Sequence, residues 1–212
     1  KLQFAFRPEA PAVASTTEVP IPRPDGTALL ARYYRPLSSH AGECLPLLIY
    51  FHGGGWCVGN VSSFDVVCRE LANASACAVL SVDYRLAPEH PFPAATDDAR
   101  LAFEWAVEQA DLLKVDASRI ALGGDSAGGN LSVVTALALR GAEVQPRFLM
   151  LVYPSTEIRS ERASRERYAE GFFLDRGTLQ WFFERYLPAG NTEDWRASPM
   201  RAASLGGLPP ML

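Results

Sequence analysis

Apolar residues along this 212-residue chain fall into short runs separated by polar, glycine-rich or proline-rich stretches. Segments 14–19, 29–34, 47–51, 77–82, 119–122 and 148–152 have strand length and favour β structure. Pro24-Asp25-Gly26, between the first two, is a turn signal, so those two are expected to form an antiparallel edge. Between the later runs the apolar spacing lengthens to a helical period, which predicts helices over 64–74, 95–109 and 127–140. Pro91 and Pro93 precede the second helix, and its first turn holds Asp97 and Asp98, where the helix dipole favours carboxylates. Gly141 stands where a C-terminal glycine would close the third. Strands alternating with helices predict an α/β fold, a mostly parallel sheet with helices on both faces.

The pattern changes after residue 153. A polar stretch leads into Leu179, Phe182, Phe183, Tyr186 and Leu187, spaced to form one apolar helix face, with Asp175 placed to cap its start. Pro209-Pro210-Met211-Leu212 is expected to begin a further strand. The expected organisation is therefore a core over 1–153, a cap insertion over 154–200, and a return to the core over 201–212 that stops before the final strands. A partial helical cap would lie over the carboxyl ends of the strands, where open α/β sheets bind ligands.

Hydrophobic residues make up 48% of the chain and charged ones 21%, enough apolar material for a buried core. The formal charge of −4 argues against a nucleic-acid partner, which calls for a clustered basic surface. No apolar run approaches the roughly 18 residues of a membrane span, so none is expected. The charge run over 157–170 mixes both signs and reads as a solvated face. Cys44, Cys57, Cys68 and Cys77 lack metal-ligand spacing and read as small buried hydrophobes rather than a disulfide scaffold, which favours the cytoplasm. No signal-peptide pattern opens the chain, although its start at Lys1 rather than Met leaves a processed or trimmed start open.

Two motifs carry chemistry. Gly124-Asp125-Ser126-Ala127-Gly128 has the G-x-S-x-G form of a nucleophile elbow, with strand pattern before it and helix pattern after it. Such a turn strains the serine backbone and brings strand and helix close, so flanking glycines are needed. Ser126 is the expected nucleophile. His52-Gly53-Gly54-Gly55-Trp56 follows the strand over 47–51. A glycine run lets main-chain N–H groups turn inward toward a developing oxyanion. Gly54 and Gly55 are the expected donors, with Gly53 a further candidate and Ala127 supplied by the residue after the nucleophile. A phosphate loop would end in Gly-Lys-Ser/Thr or show G-x-G-x-x-G, and neither occurs here. His52, inside that loop, is expected to support it rather than act as the base.

These motifs, with the segment YRLAPEHPFPAA over 84–95 and the continuation Gly129-Asn130, closely resemble the bacterial hormone-sensitive-lipase-like esterases, family IV of the lipolytic enzymes. The resemblance covers nearly the whole chain. It implies the α/β-hydrolase fold, hydrolysis of short to medium acyl esters through an acyl-enzyme, a small-molecule ester as partner and no cofactor. It also implies cap helices ahead of the first strand, of which 1–13 would be a remnant, and brings in a homodimer as a further expectation. Arg85 and Glu89 are expected to pair and pin their loop, His90 to be an ordinary loop histidine, and Asp125 to hydrogen-bond locally.

A serine nucleophile needs a histidine base and an orienting acid, which in this fold follow the serine in the chain. His40, His52 and His90 all precede Ser126. Asp and His are therefore expected beyond residue 212, either on a carboxy-terminal companion fragment packed against the sheet edge or lost from a truncated product. A second class of function is a non-catalytic small-ligand receptor on the same fold, as in the plant gibberellin receptors. The intact glycine loop and elbow speak against it, since a receptor needs no oxyanion site. The apolar face over 179–187, with Phe172, Phe173 and Trp56, is a candidate acyl-pocket wall, and ordinary packing would serve those aromatics equally.

Overall fold

The computed structural model describes residues 9–158 and 162–212. Six strands form one sheet: β1 (Ser15–Pro22), β2 (Ala28–Arg35), β3 (Leu45–Phe51), β4 (Ala78–Val82), β5 (Val115–Asp125) and β6 (Phe148–Val152). Their order is β1-β2-β4-β3-β5-β6. β1 and β2 are antiparallel, as is the β2–β4 pair, while β4, β3, β5 and β6 run parallel. The helices are α1 (Asp65–Ser75), α2 (Ala94–Glu108), α3 (Ala110–Leu113), α4 (Ala127–Ala138), α5 (Ala163–Arg167) and α6 (Arg176–Tyr186). Among the described residues, no helix is long and apolar enough to cross a membrane.

Both faces of the central strands are apolar, which forces helices onto both sides. Leu47, Ile49 and Phe51 of β3 join the larger core with α2 and α4, together with Leu80, Val82, Ile120 and Leu122. Leu48 and Tyr50 face the other way and pack with Tyr34, Val79 and the α1 residues Cys68 and Ala72. The period-2 alternation thus sorts one strand into two cores. α4 is buried on nearly all sides, from Ala127 to Leu137, as a helix wedged between sheet and neighbouring helix must be.

Three elements differ from the sequence pattern. β5 starts at Val115, which pairs with Leu45, and not at 119; within it Asp116 accepts from the amide and hydroxyl of Ser118. That local turn disguises the strand, and the register with β3 shifts there between Leu45 and Leu47. α4 ends at Ala138, and Gly141 takes its positive φ of 81° in the turn beyond. The short α3 carries too little periodicity to be read in advance. The residues proposed as a cap remnant lie outside the described residues over 1–8; the carbonyls of Pro11 and Ala12 accept hydrogen bonds from Arg69 and Asn73 of α1. Residues 159–161 of the proposed insertion also lie outside them. At the other end, Met211 bridges Leu149 in parallel along β6, and Leu151 N–H donates to the Leu212 carbonyl at 2.8 Å.

The expected Arg85–Glu89 pair does not form. Glu89 is exposed, and the Arg85 guanidinium turns to Asp98, 2.9 Å away and 1% exposed. Arg23, from the β1–β2 turn, reaches the other Asp98 oxygen at 2.9 Å. A carboxylate this deeply buried has to be compensated, so Asp98 outcompetes the exposed Glu89 for the Arg85 guanidinium. Burial pushes the Asp98 carboxyl up, but the hydrogen bonds from Arg23 and Arg85 outweigh it and hold it below the ordinary value.

Because the folded state depresses this pKa, Asp98 stabilises the fold above about pH 4 and that contribution is lost as pH falls through the folded value. Asp98→Ala is expected to cost about 3 kcal/mol in urea unfolding at pH 7, the cost of orphaning buried charge. Asp98→Asn should show a shallower loss of stability than wild type between about pH 5 and pH 3. Equal slopes would show that another group carries the acid sensitivity.

Candidate active site

β3 and β5 are neighbours in parallel register, with Phe51 opposite Gly124. The two loops that leave their carboxyl ends therefore emerge side by side. One is His52–Val58 and the other is the turn into α4.

Ser126 occupies that turn with φ 51° and ψ −112°, a conformation L-residues rarely adopt. Surrounding hydrogen bonds hold it there. Ser126 N–H donates to the Val152 carbonyl at 2.9 Å, while its own carbonyl accepts from Asn130 N–H at 3.1 Å and Ser155 N–H at 3.0 Å. The side chain of the fully buried Asn130 fastens the far side, donating to Ser155 at 2.7 Å and Ala197 at 2.9 Å. The strain is thus over-determined by a closed ring of contacts. The glycines permit the approach: a Cβ on Gly124 would lie 2.6 Å from the Gly128 carbonyl carbon, and one on Gly128 would overlap the Phe51 carbonyl.

The glycine loop folds over β3 by a different set of bonds. Gly54 and Gly55 take positive φ values of 122° and 57°, open to glycine and costly for other residues. The Gly54 carbonyl accepts from Cys57 and Val58 N–H, both at 3.0 Å. Gly53 N–H donates to Asp125 Oδ1 at 2.9 Å, and the same oxygen accepts from the Tyr50 hydroxyl at 2.8 Å. Gly53 is thereby corrected as an oxyanion donor, because its one proton is already engaged by a carboxylate. The N–H groups of Gly54, Gly55 and Ala127 make no hydrogen bond among the described residues. Three unengaged donors border the turn that carries Ser126.

His52 is fully buried. Its ring stacks on Tyr84 at 4.4 Å and on Phe64 at 5.4 Å between centroids. Nδ1 lies 2.8 Å from the Gly53 carbonyl, and Nε2 has no partner among the described residues. Donation from Nδ1 to that carbonyl describes a neutral ring, and burial pushes its pKa down. No hydrogen bond joins it to Ser126 among the described residues. The Tyr84 hydroxyl, in turn, donates to the His52 carbonyl at 2.7 Å. His52 therefore supports the loop it belongs to. His40 and His90 are exposed.

α6 closes over this loop. Asp175 caps it through Thr178 N–H at 2.7 Å, as its sequence position suggested. Tyr186 stacks on Trp56 at 4.3 Å, nearly parallel, with both rings buried. The Phe182 ring sits where a Gly55 side chain would be. Trp56 is thus packing material beneath the helix, and Phe172 and Phe173 are exposed at the surface. Sequence reasoning missed Phe182 as a neighbour of the glycine loop; only its place on the apolar face of α6 was readable. Cys57, beside Phe182, is held protonated by burial, its thiol pushed up to about 11.

A family described by the α/β-hydrolase fold matches residues 48–212. The chain is 43% identical over 204 residues to the carboxylic ester hydrolase LipN of Mycobacterium tuberculosis, covering 92% of this chain and 53% of that protein. It is 40% identical to an ethyl acetate hydrolase of Pseudomonas putida, covering 89% and 60%. Among solved structures, an α/β-hydrolase from the metagenome of Lake Arreo superposes with a TM-score of 0.91 at 46% identity, covering 96% of this chain and 64% of that one. The hyperthermophilic esterase of Pyrobaculum calidifontis gives 0.88 at 40% identity, covering 94% and 66%. The chain spans about half to three-fifths of the length of these two curated relatives.

Gly124→Ala should destabilise the protein by at least about 2 kcal/mol in urea unfolding, because backbone on both sides blocks the added methyl. A wild-type midpoint in that variant would show that strand and helix can separate at this point.

Proposed function

This chain belongs to the α/β-hydrolase-fold family, and from that membership we propose that it carries the nucleophile and oxyanion site of a serine carboxylesterase. The observation behind this is one arrangement: a strained Ser126 at a turn bordered by three N–H groups that no acceptor among the described residues engages.

On this reading Ser126 Oγ attacks the acyl carbon of an ester, and the carbonyl electron pair moves onto oxygen. The N–H groups of Gly54, Gly55 and Ala127 receive that oxyanion; each such donor is worth about 10²–10³ in rate. A histidine takes the serine proton and delivers it to the departing alkoxide, leaving an acyl-enzyme. Water, activated by the same histidine, then adds to the acyl carbon, and the acid leaves as Ser126 is regenerated. His52 cannot fill that role while its ring is sandwiched and its Nδ1 engaged.

We propose that the base and its orienting acid lie beyond residue 212, on the same gene product or on a companion fragment. The absence of any histidine after Ser126 and the greater length of the esterase relatives support this. Sequencing the gene should find an Asp and then a His downstream; a reading frame that ends without them overturns the proposal. Residues 154–200 would act as the cap over a small-molecule ester of short to medium acyl length, with 1–153 and 201–212 as core. Four unpaired cysteines are consistent with a reducing compartment, the cytoplasm.

The direct test is turnover of p-nitrophenyl butyrate by the full-length gene product. Ser126→Ala is expected to lower kcat by at least about 10³-fold while leaving thermal stability near wild type. Undiminished turnover in that variant removes Ser126 from the chemistry and the reading with it.

A further inference from the structure

Asp125 stands between the two halves of the site and takes no part in the chemistry assigned above. It is the last residue of β5 and directly precedes Ser126, so its main chain is part of the elbow. Its side chain leaves the elbow and reaches the other loop. Oδ1 accepts from Gly53 N–H at 2.9 Å and from the Tyr50 hydroxyl at 2.8 Å. Oδ2 lies against Gly53 so closely that a Cβ there would overlap it, so a side chain at position 53 would displace the carboxylate.

We propose that Asp125 is a positioning residue for the oxyanion site, one carboxylate that fixes the glycine loop in place relative to the nucleophile; this rests on the esterase reading. The physical basis is the direction of the peptide groups. Gly53 offers its N–H to Asp125 and its carbonyl to His52, so both polar groups of that residue are tied. The Gly54 carbonyl is tied by Cys57 and Val58. The two carbonyls set the peptide planes on either side of Gly54, the Gly53 N–H anchors the plane before them, and the N–H groups of Gly54 and Gly55 stay free to face a ligand. Without Asp125, Gly53 N–H is released and only the Tyr84 hydroxyl on the His52 carbonyl still holds that peptide, so the start of a three-glycine loop gains freedom and carries the donors that follow with it. Catalytic donors gain their effect from being preorganised rather than from being present.

Tyr50 completes the arrangement. Burial, then the neighbouring Asp125 charge, pushes its phenol above the ordinary tyrosine value, so it remains a donor across the working pH range. It steadies the carboxylate from the β3 side, which makes the Tyr50–Asp125–Gly53 bridge a link between two strands and both loops.

The test uses the full-length gene product and a pair of substrates, p-nitrophenyl butyrate and its thionoester. A preorganised hole of N–H donors stabilises an oxyanion far better than a sulfur anion, so the ratio of the two kcat values reports on the hole itself. Asp125→Ala is expected to lower kcat for the oxygen ester by about 10²-fold, with KM within about threefold, and to shrink the oxygen-to-sulfur ratio by about tenfold or more. Asp125→Asn keeps an acceptor oxygen at the same place, so it should restore the ratio to within about twofold of wild type. Asp125→Ser, too short to reach Gly53, serves in place of alanine if that variant does not fold, and the same loss is expected.

If Asp125→Ala lowers kcat but leaves the ratio unchanged, the residue is structural only and the proposal is overturned. It is equally overturned if Asp125→Asn behaves like Asp125→Ala. Ser126→Ala measured alongside separates the two levels. Persistent turnover there defeats the esterase reading, whereas its loss together with an unaffected Asp125→Ala defeats only the positioning role.

Discussion

Backbone meets backbone where Gly124 and Gly128 pass the Phe51 carbonyl, and the rest of the site is arranged around that approach. Because Phe51 and Gly124 are opposite one another in a parallel pair, the chain leaving β5 has to turn at once into α4 while remaining over β3. Any side chain at either glycine would push strand and helix apart. The turn is tight enough to force Ser126 to a positive φ, an energy of about 1–3 kcal/mol that persists only because neighbouring contacts leave no alternative. Those contacts come from Val152, Ser155 and Asn130, so the segment after β6 is as necessary to the elbow as the motif itself.

The electrostatics around this centre are of two kinds. Arg100–Glu104 and Arg176–Glu166 are exposed ion pairs, each worth no more than about 1 kcal/mol. Asp98 and Asp125 are different, because each gathers donors from separate parts of the chain. Asp98 ties the β1–β2 turn and the loop after β4 to α2; Asp125 ties β3 and the glycine loop to the elbow. In both cases an acidic residue spans elements far apart in sequence, and its partners could not be named from spacing. Hence the Arg85–Glu89 expectation failed. It paired neighbours along the loop, while burial of Asp98 set the stronger demand.

Much of the fold was legible in advance. The six strand segments, the three longer helices around the sheet and the helix over 176–186 follow from apolar period, and Asp175 capped where a capping residue belongs. The misses share a cause. β5 hid its first residues because Asp116 and Ser118 carry turn chemistry, which forms here inside a register shift against β3. Trp56, Phe172 and Phe173 looked alike as aromatics, yet one is buried against Tyr186 and two face outward, a distinction set by where α6 lands. Gly53 was a further candidate beside the expected donors Gly54 and Gly55; its contact with Asp125 is what sets it apart.

The chain by itself determined the sheet, its covering helices and the residue types of the site, because period and turn chemistry are local and glycine is required wherever backbone must approach closely. It also placed Ser126 at a strand-to-helix junction, since the flanking patterns are read within a few residues of it. Tertiary structure decided which N–H groups remain unengaged, which histidine is locked in a stack, and which carboxylate holds the two loops together. Those outcomes depend on contacts between residues far apart in the chain, such as the His52 stack on Tyr84 and the Gly53–Asp125 hydrogen bond. A group's availability is set by what reaches it in space, and nothing in its own sequence neighbourhood records that.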